Sequence, residues 1–180
     1  MMRYRNELQE DLYQQYADIG SKIAKYSSSK KNIKLSHQYG WKLITKNGIW
    51  KLSLGHECIS AIQGLSSTFN NFEFFSQIVS QLSALYLISK YSSDKNKQLY
   101  LSRLINGEMS VDIFPDGISF TSILPLKDRN LILCDCINFK RILYGLQTIK
   151  NIQPILEKYS NKRIMSNLVR CEEMLYSAAI

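Results

Sequence analysis

The sequence has little of what marks the common functional classes of proteins. Its 180 residues include only three prolines, two histidines and four cysteines. The histidines, His37 and His56, lie in no metal-binding or nucleophile motif, and no glycine-rich phosphate loop occurs. Zinc-finger, helix-turn-helix and RNA-binding signatures are also missing, so we expect no nucleic-acid partner.

Long apolar runs are missing as well. Gln77, Ser80, Gln81 and Ser83 interrupt the longest run, so the sequence predicts no membrane-spanning helix. The first residues, Met-Met-Arg-Tyr-Arg-Asn-Glu, lack the apolar core of a signal peptide. We therefore expect a cytoplasmic protein with no membrane partner. The net charge of +8 indicates a generally basic surface, which attracts anionic partners.

The four cysteines are best interpreted as free thiols in a reducing compartment. Cys134 and Cys136 flank Asp135, and this spacing differs from that of a structural zinc pair. In a strand, alternate positions place both thiols on one face, where they would meet a metal ion or a third thiol. Free, partly buried thiols are the preferred interpretation, so no metal site is predicted.

Helical periodicity dominates the sequence. It predicts helices over about 6–26, 35–41, 57–69, 72–90, 95–105 and 139–176. Asn70-Asn71 and Ser93-Asp94 are predicted to provide the N-caps of the helices that follow them. The 72–90 helix has apolar residues on two sides, with Phe72, Phe75 and Leu82 on one of them, so we expect it to be central and nearly buried. Pro154 is expected to kink or break the last helix.

Two segments predict short strands instead. Asn47-Gly48 lies between alternating apolar residues, which predicts a hairpin within 43–54. Apolar residues also alternate around the turn at Pro115-Asp116-Gly117, and a third apolar run covers 131–133. The sequence therefore predicts two or three strands within 109–136.

The most specific pattern covers residues 93–108. A predicted buried helix ends at Lys90-Tyr91-Ser92. The residues of the pattern that follow it are Ser93-Asp94, Lys97, Tyr100-Leu101, Leu104 and Gly107-Glu108. This pattern resembles the amino-terminal helical domain of acyl-CoA dehydrogenases. Phe139-Lys140-Arg141 and the segment 164–179 resemble helices of that family's last domain. The resemblance implies a mainly α fold, namely an acyl-CoA dehydrogenase-like helical bundle with a short β remnant.

The resemblance also implies three parts. Residues 1–109 correspond to the N-terminal helical domain, 110–137 to a reduced middle β-domain, and 138–180 to truncated C-terminal helices. Val111-Asp112-Ile113-Phe114-Pro115-Asp116 stands where the family has a flavin-binding Thr-Glu-Pro segment. A flavin ring needs a wall of backbone hydrogen-bond donors and a shaped pocket. The short segment that remains of the middle domain cannot supply all of these.

Residues that hold the flavin phosphates and remove the substrate proton also differ from the family pattern. An Arg-x-x-Phe-Gly segment is absent, which leaves Arg163 as the candidate phosphate-binding residue. Lys140 occupies the position of the glutamate base of some relatives, and an ammonium is no base at neutral pH unless strongly desolvated. Four other carboxylates are candidates for the role of that base, namely Asp112, Asp116, Glu172 and Glu173. Each is interpreted as a solvated surface group, so no catalytic residue is assigned.

Three functional hypotheses follow. In the first, the chain is a non-catalytic or partner-completed subunit, a pseudoenzyme that forms a homo- or hetero-oligomer with a flavin-bearing acyl-CoA dehydrogenase-like chain. It then carries no cofactor alone and FAD only in a complex, and its basic charge suits an acyl-CoA or an acidic acyl carrier protein. In the second, it is a minimal FAD-dependent acyl thioester dehydrogenase, an oxidoreductase whose site a second chain completes. In the third, it is a small helical protein-binding module.

Overall fold

The computed structural model describes residues 5–29, 32–109, 129–158 and 162–178. All regular structure in these ranges is helical. The helices are α1 (Glu7–Ser29), α2 (Ile33–Lys46), a 3-10 turn (Ile49–Lys51), α3 (His56–Thr68), α4 (Phe72–Tyr91), α5 (Asp94–Ile105), α6 (Arg129–Lys158) and α7 (Lys162–Ser177). The prediction of a mainly α protein is confirmed. None of the described helices combines the length and the apolar character that crossing a membrane requires.

The starts of α4 and α5 follow from local side-chain chemistry. The Asn71 side-chain oxygen accepts a hydrogen bond from the Phe74 amide at 2.9 Å. The Ser93 hydroxyl oxygen accepts one from the Asn96 amide at 3.4 Å. These bonds satisfy amides that the first turn of a helix leaves without a partner. Both predicted N-caps are therefore confirmed.

The predicted hairpin at Asn47-Gly48 is wrong. Gly48 has a φ of 79°, so a turn does occur there. Helix α2, however, runs up to it and the 3-10 turn follows it. Ile44, Ile49 and Trp50 are all buried, and a short apolar run of this kind fits a buried helix as well as a strand. Tertiary burial therefore decides the backbone conformation here.

The strand predicted at 131–133 is also wrong, because these residues lie in α6. Residues two apart on a helix are rotated by about 200°, so they face different sides. Cys134 is accordingly exposed and Cys136 buried, so the alternative in which both thiols lie on one face of a strand is excluded, and both cysteines are free as preferred. The other predicted strands fall within 110–128, outside the described residues, whereas 129–137 of the expected β segment is helical.

Pro154 does not break the last helix. Helix α6 contains it and continues to Lys158. A proline removes one backbone hydrogen bond from a helix interior, and the bonds of the flanking residues maintain α6 across this position. The predicted single segment 139–176 is instead two helices, α6 and α7, which end and begin near residue 160.

The chain divides into two compact units that interleave along the sequence. Unit 1 consists of Met1–Gly40, Leu52–Asn70 and Ile142–Ile180, and unit 2 of Trp41–Lys51 and Asn71–Arg141. The expected three-part division at 1–109, 110–137 and 138–180 stays a prediction, since most of its middle part lies outside the described residues.

Unit 1 is built on the close crossing of α1 and α3. A Cβ atom at Gly64 would collide with the Tyr13 carbonyl oxygen, and one at Gly20 would lie 2.8 Å from the Leu65 carbonyl oxygen. The Thr68 hydroxyl donates a hydrogen bond to the Ala17 carbonyl oxygen at 2.7 Å. Glycine is therefore required at the crossing because the two backbones nearly touch.

Unit 2 has α4 as its core. Eight of the large apolar residues of α4 are buried, namely Phe74, Phe75, Ile78, Val79, Leu82, Leu85, Leu87 and Ile88. The Gln81 side-chain amide donates to the carbonyl oxygens of Leu104 at 3.0 Å and Met109 at 2.9 Å, which fixes the end of α5. The prediction of a central, nearly buried helix is confirmed.

Phe72 is an exception to that prediction, because its side chain is 70% exposed. It occupies the first position of α4. Helical side chains lean toward the N-terminus of their helix, so a residue at this position extends past the helix end and not over a preceding turn. The expectation that Phe72 belongs to the core is therefore wrong.

Candidate functional site

The residues considered for chemistry do not form a common site within the described parts of the chain. Lys140 lies half-buried on α6 in unit 2, and Glu173 is exposed on α7 in unit 1. Asp112, Asp116 and the side chain of Arg163 lie outside what the structure describes. A phosphate contact by Arg163 and the absence of a base at Lys140 therefore stay predictions.

Glu172 is the residue for which the sequence interpretation is wrong. Its side chain is 1% exposed, whereas we expected a solvated surface group. The Gln63 amide donates to its Oε1 at 2.7 Å, and the Lys150 ammonium lies 3.0 Å from the same oxygen. Three helices, α3, α6 and α7, thus meet at one carboxylate, and Glu172 is the one buried side chain among those described on α7.

Arg5 extends this arrangement on the other side of Gln63. Its guanidinium donates to the Gln63 side-chain oxygen at 2.6 Å and lies 4.1 Å from the centre of the Tyr13 ring. The Lys150 ammonium lies 5.9 Å from the centre of the same ring. Two cations therefore lie within about 6 Å of one aromatic ring, and each is attracted to its π-electrons. We call Arg5, Tyr13, Gln63, Lys150 and Glu172 the Glu172 network.

The geometry of the Glu172 network suits an anchor better than a catalyst. Gln63 must direct its oxygen to Arg5 and its nitrogen to Glu172, since a guanidinium only donates and a carboxylate only accepts. Oε2 of Glu172 is buried and has no hydrogen-bond partner among the described residues. Buried carboxylates are costly unless paired, so the attachment of α7 to α3 and α6 depends on Gln63 and Lys150 remaining in place.

A second polar cluster lies in unit 2, around Asp135 on α6. The Lys90 ammonium lies 2.6 Å from the Asp135 Oδ2 atom, and the Tyr86 hydroxyl donates to the same oxygen at 3.3 Å. The Tyr91 hydroxyl also donates to it. The Tyr86 ring stacks on Phe139, with ring centres 4.9 Å apart and an interplanar angle of 9°. We call Lys90, Tyr86, Tyr91 and Asp135 the Asp135 cluster.

Ionisation in the Asp135 cluster follows its hydrogen bonds. Those from Lys90 and then Tyr91 hold the pKa of Asp135 below its usual range. The bond to Asp135 raises the pKa of Lys90. Desolvation, followed by the bond to Asp135, raises the pKa of Tyr91. Because Lys90 is 46% exposed, water screens this ion pair and its contribution to stability is modest.

The buried thiols are not nucleophiles at neutral pH. Burial raises the pKa of Cys58 to about 12 and also raises the pKa of Cys136. The thiolate is the reactive form of cysteine, so neither residue supplies a covalent catalyst. Among the described residues, no three His, Cys, Asp or Glu side chains lie close enough to hold a metal ion together.

The two clusters join helices by means of groups that an active site would use. Each places a carboxylate against a lysine at the contact between helices, and each pairs the carboxylate inside its own unit. No family model, curated protein or solved structure matches the chain. The resemblance to acyl-CoA dehydrogenases therefore stays a prediction.

Substituting Asp135 provides a test of the second cluster. We expect Asp135→Asn to lower the pKa of Tyr91, because the hydrogen bond to the carboxylate is one of the causes of its elevation. NMR titration of protein labelled at the tyrosine Cζ, with Tyr91→Phe for assignment, measures this shift. Glu108→Gln, an exposed carboxylate of the same unit, is the matched control and should leave Tyr91 unchanged.

The same variant has a defined pH dependence. The folded-state pKa of Asp135 is depressed, so its ion pair contributes stability above the unfolded pKa of about 3.9 and loses it as the pH falls through the folded value. Wild type and Asp135→Asn should differ by less than about 1 kcal/mol at neutral pH and converge in acid. A difference that grows on acidification would contradict this assignment.

Proposed function

We propose that this chain is a helical subunit that acts with a flavin-bearing acyl-CoA or acyl-carrier-protein dehydrogenase and does not catalyse on its own. The supporting observation is the exposure of large apolar side chains along α6 and α7. In unit 2 these are Leu131, Leu133 and Ile137, and in unit 1 they are Ile152, Ile155, Ile164 and Met174. Exposed apolar patches mark protein–protein interaction sites, so these side chains are the candidate contacts to a partner within each unit.

The engagement of Glu172 and Asp135 in contacts between helices favours a subunit over an independent enzyme. Glu172 shares one oxygen between Lys150 and Gln63, and Asp135 accepts bonds from Lys90, Tyr86 and Tyr91. A general base must be within reach of a substrate proton, whereas these carboxylates are occupied in holding helices together.

The class of partner rests on the resemblance of residues 93–108. The structural features that accompany this pattern are the buried helix α4 before it, the Ser93 cap at the start of α5, and Gly107, whose left-handed φ of 68° follows the end of α5. A helix packed this deeply favours the family-like arrangement over a small binding module whose resemblance is accidental.

The flavin content of the chain purified alone tests this proposal. We expect no stoichiometric flavin and no oxidation of acyl thioesters. Lys140→Glu should not restore activity, because a base is productive only when a hydride acceptor is aligned on the same carbon. A yellow protein with one flavin per chain, or acyl-dependent reduction of an acceptor by Lys140→Glu alone, would instead support a minimal FAD-dependent dehydrogenase.

A further inference from the structure

The positive charge of the chain is concentrated in one segment. Residues 19–56 contain eight lysines and no aspartate, glutamate or arginine. The whole chain has 23 basic and 15 acidic residues, so these eight lysines equal its entire net charge of +8 and the rest is neutral on balance. A single-sign segment of this length creates a positive potential that attracts an extended negative surface.

The lysines of this segment are available to a partner. Those in the described ranges are all exposed, namely Lys22, Lys25 and Lys34 in unit 1 and Lys42, Lys46 and Lys51 in unit 2. The ion pairs described elsewhere involve Arg5, Lys90 and Lys150. Within the described ranges, none of the six lysines is paired with a carboxylate of its own chain.

Two exposed aliphatic side chains flank Lys34 at the start of α2. Ile33 is 63% and Leu35 is 47% exposed. The Tyr26 ring of α1 stacks on the Tyr39 ring of α2, with centres 4.1 Å apart, and holds the two helices together within unit 1. Lys22 and Lys25 lie toward the end of α1, and Ile33 to Leu35 lie in the first turn of α2. Basic and apolar side chains are thus exposed at the consecutive ends of two helices. We call Lys22, Lys25, Ile33, Lys34 and Leu35 the basic–aliphatic surface.

We propose that the basic–aliphatic surface binds the surface of an anionic lipid bilayer. The lysines meet the headgroups, and Ile33 and Leu35 insert at the boundary of the acyl chains. Clusters of lysine beside exposed aliphatic residues bind such membranes through charge and shallow apolar burial together. This proposal departs from the expectation of no membrane partner. That expectation rests on missing apolar runs, which concern membrane-spanning helices, and peripheral binding needs none.

The choice of lysine favours lipid over the other anionic partners. Arginine is enriched and lysine depleted in protein–protein interfaces. Arginine is also the residue that recognises phosphate and base edges through paired hydrogen bonds. The segment contains none. Compact ammonium charges without fixed bonding geometry match the diffuse charge of a headgroup layer, and exposed aliphatic side chains have no function against a phosphate backbone.

Vesicle sedimentation of the full chain tests the proposal. We expect binding to vesicles of mixed phosphatidylcholine and phosphatidylserine, and none to phosphatidylcholine alone. Added salt should weaken the binding, because the screening length falls from about 10 Å at 0.1 M to about 3 Å at 1 M. Lys25→Gln/Lys34→Gln should reduce partitioning by about fivefold per lysine, which corresponds to about 1 kcal/mol each. Ile33→Ser/Leu35→Ser should weaken binding while keeping its salt dependence.

A matched control separates this surface from overall charge. Lys95→Gln/Lys158→Gln removes the same net charge from exposed lysines outside the segment and should bind like wild type. Circular dichroism checks that every variant is folded. Equal binding to neutral vesicles, or an equal loss in the control, would overturn the proposal. Binding to duplex DNA or polyglutamate with none to anionic vesicles would also overturn it, in favour of a nucleic-acid or acidic protein partner.

Discussion

Phe75→Ala should lower the free energy of unfolding by about 3–5 kcal/mol, whereas Phe72→Ala should leave it nearly unchanged. The two residues have the same side chain and lie three positions apart on α4. Phe75 is 0% exposed and Phe72 is 70% exposed. Truncating a buried phenylalanine removes apolar contacts and leaves a cavity. Truncating an exposed one removes a side chain that is already mostly in contact with water, so little buried apolar area is lost.

Urea denaturation followed by circular dichroism measures this difference. The slope of the unfolding free energy with urea should be the same in both variants, since each unfolds to an equivalent chain. Leu82→Ala, also 0% exposed, should lose about 2–5 kcal/mol and serves as a second core position. Similar losses in Phe72→Ala and Phe75→Ala would contradict the placement of α4.

Glu172→Ala should lower the free energy of unfolding by about 3–5 kcal/mol, because breaking a buried ion pair leaves its other charge uncompensated. Lys150, which is 9% exposed, is that remaining charge, and the Gln63 amide loses its acceptor as well. Glu173→Ala removes the same chemical group from the exposed neighbouring position and should change stability by no more than about 0.5 kcal/mol.

A double-mutant cycle distinguishes the ion pair from general packing. Lys150→Met together with Glu172→Leu removes both charges and fills the space with apolar atoms, so it should recover much of the loss. The two single variants of the cycle are Lys150→Met and Glu172→Leu, and urea denaturation measures all three. A loss in the double variant equal to the sum of the two single losses would show that the two residues do not interact.

The parts of the fold that the sequence predicted are those governed by local chemistry. The caps at Asn71 and Ser93 are hydrogen bonds between near neighbours in sequence, and the buried α4 follows from apolar residues on two sides of one helix. The hairpin predicted within 43–54 rests on Asn47-Gly48 between alternating apolar residues, and the strand predicted over 131–133 rests on a short apolar run. Such runs fit either structure, and burial of Ile44 and Ile132 in a helical setting determined the result.

The candidate site was less predictable because its contacts join distant parts of the chain. Gln63 and Glu172 are 109 positions apart, and Lys90 and Asp135 are 45 apart. The sequence does contain one indication that Glu172 is buried. Glu172 lies four positions after Leu168 and three after Val169, so it falls on the apolar face of α7, where periodicity predicts a hydrophobic residue. A charged residue at such a position indicates a buried pair, but periodicity does not identify the partner.

Charge composition was informative at a finer scale than the total. A net charge of +8 suggests a uniformly basic surface, whereas residues 19–56 contain all of the excess. Counting acidic residues along the sequence identifies this segment without a structure. The structure adds the exposure of Ile33 and Leu35, which precede and follow Lys34 in the sequence, and this exposure is the basis of the proposed lipid contact.

Native mass spectrometry of the co-expressed proteins tests the proposed function most directly. The chain would be produced alone and together with each flavin-bearing acyl-CoA dehydrogenase of its source organism. We predict a stable complex with one of these dehydrogenases in which the flavin belongs to the partner, while the chain alone is flavin-free. A chain that binds none of them, or that retains a flavin by itself, would contradict the proposal of a partner-completed subunit.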